Sequence, residues 1–224
     1  FRTFIDNNAV DYNVQFFDNY NYTVYIPTND ALKAAIEKGL PTWESIQEDY
    51  EKCDKNEDGS LKSEVDKLRL QYKITYLTNF VRTHFADKTF FADKSDANVE
   101  QITSSYNNDN GLFVKAFARR SNGQLQVKDN TETGKWLNAV YTTAEGRDVK
   151  NIMTCDRECN SKVKDQSMNG KTVVATSYAV VHLVDGVLNH VQLSEDGTYP
   201  DFQKEAEEAE GKAARAYIQK FAIR

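Results

Sequence analysis

Apolar positions recur along this chain with two different periods, and the change from one to the other divides it. Residues Tyr22-Thr-Val-Tyr-Ile26 are β-branched and aromatic, which predicts a strand, and Pro27 ends the run. A helix follows directly. Thr28 or Asn29 can cap it, Ala31, Leu32, Ala35 and Ile36 form one apolar face, and Gly39-Leu40-Pro41 supplies a stop. A second helix starts at Thr42, with Trp43, Ile46, Tyr50 and Cys53 on one stripe, so Cys53 reads as a core thiol rather than a reactive one. From Leu61, the positions Val65, Leu68, Tyr72, Tyr76, Phe80 and His84 keep helical spacing for roughly six turns, and His84 closes the helix.

Beyond Phe85 the period shortens to that of strands. Thr89 to Ala92, Leu112 to Arg119, Gln124 to Lys128 and Trp136 to Thr142 each read as a strand, and Asn122-Gly123 between two alternating runs signals a hairpin. Thr172 to Val184 reads as a long strand, broken by Asp185-Gly186 before Val187-Leu188. Helices first and strands later is α+β order rather than βαβ repetition. The polar stretch 154–171 has no clear period and is expected to be a surface excursion. Residues 1–200 are read as a single domain, and 201–224, rich in Ala, Glu and Lys, as a terminal helix or a connector.

Composition narrows the function classes. The chain has 224 residues, with 28 Lys and Arg against 34 Asp and Glu, a net charge of −6. That balance argues against nucleic acid or a polybasic membrane contact, since either needs concentrated positive charge. No apolar run approaches the roughly 18 residues of a membrane span. The chain opens at Phe1 without a basic stretch leading into an apolar one, so any targeting segment is expected upstream. Three cysteines, Cys53, Cys155 and Cys159, are too few for a disulfide scaffold.

Several fragments of catalytic or ligand-binding motifs fail on a second feature. Asp54-Lys-Asn56-Glu-Asp58-Gly59-Ser60-Leu61 copies the first half of a calcium-binding loop, but Val65 stands where the bidentate carboxylate belongs and Lys62 is a cation facing a cation site. A polar turn hinged at Gly59 is the expectation. Gly170-Lys171-Thr172 ends like a phosphate loop, yet Val173-Val174-Ala175 is β-like where a helix should begin. Cys155 and Cys159 have neither a second pair nor a histidine at zinc-ligand spacing; a local disulfide or two free thiols both fit. His84 and His182 lie on apolar faces, His190 adjoins no nucleophile motif, and Gly-x-Ser-x-Gly is absent, so no enzymatic activity, cofactor or metal is expected.

Three segments together carry a family resemblance. Tyr22-Thr-Val-Tyr-Ile-Pro27-Thr28-Asn29-Asp30-Ala31-Leu32 resembles the first signature of fasciclin-type domains. Ala179-Val180-Val181-His182-Leu183-Val184-Asp185-Gly186-Val187-Leu188 resembles the second, and Thr83-His84 falls where the family has a Tyr-His pair. The likeness is greatest to the enlarged fasciclin domains of Bacteroidota envelope proteins, through Lys38-Gly39-Leu40-Pro41-Thr42-Trp43 and Leu77-Thr78-Asn79-Phe80-Val81-Arg82. It implies an α+β wedge in which a helical layer covers a β-sandwich-like core, with an insertion before the last long strand.

The resemblance also implies an extracytoplasmic, cell-surface or outer-membrane setting within a lipoprotein, any membrane link being made by an anchor outside this chain. Its functional implication is a non-catalytic adhesion or interaction module for a protein or matrix partner. The family's Asp-Ile-Met adhesion motif is matched in place by Asn151-Ile152-Met153, with an amide instead of the acid. These three residues and His84 are the candidate binding residues, although Ile152 and Met153 also read as core. Residues 154–171 are the expected variable contact region. Twelve tyrosines, twelve phenylalanines and two tryptophans motivate the alternative, a glycan-binding accessory module, which requires several aromatic rings on one solvent-facing patch.

Overall fold

The computed structural model describes residues 21–92, 98–107, 112–142, 145–147, 150, 152–155 and 178–210. Its elements are β1 (Tyr22–Pro27), α1 (Asn29–Glu37), α2 (Trp43–Lys52), α3 (Glu64–Thr83), β2 (Phe85–Asp87), β3 (Val99–Asn107), β4 (Leu112–Ser121), β5 (Gln124–Asp129), β6 (Leu137–Val140), β7 (Ile152–Cys155), β8 (Tyr178–Val184) and α4 (Phe202–Ala209). Each helix begins at a side-chain cap: Thr28, Thr42 with Ser45 in a reciprocal box, Ser63 and Asp201 accept from the first free backbone N–H groups. Gly39, at φ +105°, ends α1 in the left-handed region, where a side chain would be strained.

The strands form one sheet that closes on itself. Neighbours run β1-β2-β3-β4-β5-β6-β8, and β8 pairs back onto β1 in parallel, Tyr22 opposite Ala179 through Pro27 opposite Val184. The result is a closed, mixed, seven-stranded barrel, with β7 lying along the first half of β8 outside the ring. This corrects the expected wedge with a sandwich-like core. A sandwich buries two sheet faces against each other, whereas here the first and last strands of one sheet supply each other's edge and the core is its enclosed interior.

Side-chain size suits that closure. Ala86, Ala116, Ala118 and Ala139 are fully or almost fully buried, and Tyr25, Phe90, Leu125, Val127, Val184 and Leu188 fill the remaining interior. A second core lies among the helices, where Leu68, Tyr72, Tyr76 and Phe80 of α3 meet Ile46, Tyr50, Tyr199, Phe202 and Ala206. The run Ile74–Phe80 is buried at every position. Thr75, Thr78 and Asn79 are polar members of that run, and a helix buried on all sides in this way is enclosed by its neighbours.

The structure moves or adds some elements. Residues 89–92 are not a strand, although Phe90 and Ala92 are core; β2, β3 and β7 occur where no strand is expected from the sequence. The Asn122-Gly123 hairpin has both turn residues at positive φ, 51° and 78°, as the tight mirror-image turn requires.

Beyond Val99, the inward residues of β3 are polar and knit the ring at its narrowest join, where β2 and β3 share a short ladder. Gln101 donates to the carbonyls of Asp87 (2.7 Å) and Lys88 (3.1 Å) and accepts from the Tyr25 hydroxyl at 2.6 Å. Thr23 donates to the Lys88 carbonyl at 2.7 Å and accepts from the Phe90 N–H at 2.9 Å. Gln101→Leu leaves the buried Tyr25 hydroxyl without its acceptor and the Asp87 carbonyl without its side-chain donor. The expected cost is about 1–3 kcal/mol, read as a lower denaturation midpoint at unchanged slope.

Candidate functional site

The structure describes the surroundings of only some of the residues expected from sequence. His84 is buried at the end of α3, where its Nδ1–H donates to the Phe80 carbonyl (2.8 Å) and its Nε2 accepts from the Leu188 N–H (3.1 Å). Those two bonds fix a neutral imidazole, and burial pushes its pKa down to about 4. Ile152 and Met153 belong to β7, opposite Val181 and Val180 of β8. Asn151, Cys159, Gly170-Lys171-Thr172 and the 156–171 part of the expected contact region lie outside the described residues.

The other histidines are also interior. His182 donates from Nε2 to the Phe90 carbonyl at 2.6 Å and lies near-parallel to the Tyr25 ring. His190 tilts against Tyr76 at 4.4 Å between ring centroids, and both its nitrogens are buried without a hydrogen-bond partner. Burial, with His84 nearby, pushes its pKa down to about 3. The calcium-loop fragment is a self-bonded polar turn: Ser60 donates to Asp58 through both N–H and hydroxyl, and Asn56 donates to the Ser60 hydroxyl. Cys53 sits in the helical core and its thiol pKa is raised, chiefly by burial.

What the family-like segments share is a structural joint. The first signature contains β1 and the second contains β8, the parallel pair that closes the barrel, and the His84 carbonyl accepts the Tyr25 N–H at 2.9 Å. All three matched segments therefore meet at one place. It is a place of closure, with the imidazoles inside.

A different surface gathers chemistry on the outside of the barrel. In β4 the buried residues Val114, Ala116 and Ala118 alternate with outward Phe113, Lys115, Phe117 and Arg119. The ladder sets Phe117 beside Glu100 of β3 on one side and Lys128 of β5 on the other. Trp136, one residue before β6, completes the group: the Arg119 guanidinium lies 3.8 Å from its ring centroid and the Lys128 ammonium 5.3 Å. Lys128 also stands 5.8 Å from the Phe117 ring, and Lys115 is paired with Glu100 at 2.7 Å. Phe113 and Ile102 remain 48% and 39% exposed at one end of this face, which makes it partly apolar as well as basic. The alternating β4 sequence carried a signal for its outward residues, but the approach of Trp136 depends on strand pairing.

Compared with known protein families and with characterised proteins, the chain matches none of them. No helix among the described residues is long and apolar enough to cross a membrane.

Histidine burial predicts acid sensitivity. An unfolded imidazole binds a proton near pH 6.5, while folded His84 and His190 resist it down to about 4 and about 3. Stability is therefore complete above about pH 6.5 and falls as pH drops, by about 1.4 kcal/mol per unit for each of these two groups until its folded value is reached. His190→Phe keeps a ring against Tyr76 and removes the titration. Urea unfolding is expected to show the variant gaining about 2 kcal/mol more at pH 5 than at pH 7.5, relative to the unaltered chain.

Proposed function

We propose that the chain is a non-catalytic, extracytoplasmic interaction module, and that the outer face of β3, β4 and β5 with Trp136 is where it meets a protein or matrix partner. The observation that carries this reading is the interleaving of rings and cations on one face of β4, Phe113-Lys115-Phe117-Arg119, over a strand whose other face is core. Aromatic and arginine side chains are the groups from which protein contact surfaces draw most of their energy. The sequestration of all three imidazoles favours binding over catalysis, since a general base must reach its substrate.

The extracytoplasmic setting and the adhesive class rest on the fasciclin-type resemblance, and the meeting of its three segments at the β1–β8 joint supports that likeness. The wedge architecture is not carried over. A glycan partner is less favoured, because sugar stacking needs an open ring face and Arg119 occupies one over Trp136.

The test is a binding panel of matrix proteins and glycans, run with calcium and with chelator, on the full chain and on the double variant Phe117→Ser, Lys128→Ser. Saturable protein binding is expected, weakened at least about tenfold in the double variant. Equal affinity of the two chains for every panel protein sinks the assignment of this face, and glycan-only binding sinks the protein reading.

A further inference from the structure

Two cations on this outer face stand over aromatic rings with no acid paired to them among the described residues. Arg119 stands over Trp136 with its guanidinium carbon 3.8 Å from the ring centroid, and its Nε donates to Gln126 Oε1 at 2.9 Å. The brace continues across the sheet. Gln126 donates to Asn138 Oδ1 at 2.8 Å, and Asn138 donates through both its backbone N–H (2.7 Å) and its side-chain amide (2.8 Å) to Asp185. Lys128 stands beside this group over Trp136 and Phe117. Among the described residues neither Arg119 nor Lys128 forms an ion pair, whereas neighbouring Lys115 is already paired with Glu100.

A guanidinium stacked on an indole keeps its hydrogens in its own plane. With Nε engaged by Gln126, the two terminal nitrogens remain as a fork whose spacing matches a carboxylate. Fixing the fork in advance removes much of the side-chain entropy that an exposed arginine otherwise loses on binding.

Resting on the reading that this face is the contact surface, we infer that Arg119, supported by Lys128, is a receptor for a carboxylate of the partner, and that the partner presents it on an acidic protein segment with apolar neighbours. The apolar part follows from Phe113, Phe117 and Ile102 on the same face. A polyanionic polysaccharide fits less well. It offers a repeating row of charges, and the row here is broken by Glu100, which repels it and occupies Lys115.

The experiment uses the full chain with Trp43→Phe, which leaves Trp136 as the one tryptophan reporting by fluorescence. The probes are an end-capped peptide alternating Glu and Leu, the same peptide with Gln for Glu, and a heparin oligosaccharide. Saturable change with the Glu peptide is expected, weakened at least about tenfold by the Gln replacement and by Arg119→Gln, and weakened less by Arg119→Lys, which keeps the charge but loses the fork. Thermal unfolding of each variant checks that the barrel is intact.

Absence of a saturable change with the Glu peptide overturns the inference. So does equal binding of Glu and Gln peptides, indifference to Arg119→Gln, or tighter binding of heparin than of the Glu peptide. The inference and the reading beneath it fail separately. A panel protein lost by the Phe117→Ser, Lys128→Ser chain but held by Arg119→Gln removes the carboxylate receptor and keeps the contact face; one held by both chains removes the face itself.

Discussion

Parallel pairing of β1 with β8 is the constraint on which the remaining structure depends. Every other neighbouring pair in the ring is antiparallel, and without this one the sheet would be open, with β1 and β8 each exposing a row of unpaired backbone groups. The two are the first and the last strand of the described chain, so their meeting closes a long loop. Its entropy cost grows only slowly with length, about 0.6 kcal/mol per doubling, but contacts of such separation form slowly. Neighbouring bonds secure the joint once formed: Thr28 donates to the Val184 carbonyl and Asp185 to the Asn138 carbonyl. His84 then registers the helical layer to it, accepting from Tyr25 of β1 through its carbonyl and from Leu188 beyond β8 through its ring.

The same joint explains what could be read from the chain before its fold. Caps, stops and most of the helix stripes are local features, set by residues three or four apart, although Ile36 and Trp43, read onto apolar stripes, are exposed; the Asn122-Gly123 hairpin is local too. β3 resisted because its pattern is inverted. Gln101, Thr103 and Ser105 point inward and are fully buried, while Ile102 faces out, so the usual apolar-in alternation gives no signal. Such polar inward positions are tolerable only because other elements satisfy them, as Tyr25 and the Asp87 and Lys88 carbonyls satisfy Gln101.

Closure was illegible for a related reason. Alternating strands serve a sandwich or a barrel equally, and the choice lies in which edges find each other. The alanines at inward positions of β2, β4 and β6 are the one compositional hint of a narrow interior. The candidate surface was half visible in the same way: Phe113, Lys115, Phe117 and Arg119 alternate in plain sequence, but Trp136, the ring under Arg119 and Lys128, arrives from the approach to β6. Loops are frequent carriers of recognition, yet a strand braced from within can carry it as well.

That bracing joins the interior to the surface. Arg119 is positioned by Gln126 and Asn138, and these stand on strands whose alternate residues, Ala118, Val127 and Ala139, are fixed in the barrel core. The outermost hydrogen-bond partner, Asp185, belongs to the turn that leaves β8, the strand that closes the ring. A shift in the β6–β8 pairing would therefore move Asn138, release Gln126 and let the guanidinium leave Trp136. The stacked geometry on the outside is in this sense a consequence of closure on the inside. A ring with no free edge is a stiffer support for such a site than an open sheet of the same strands, whose edge members could twist independently.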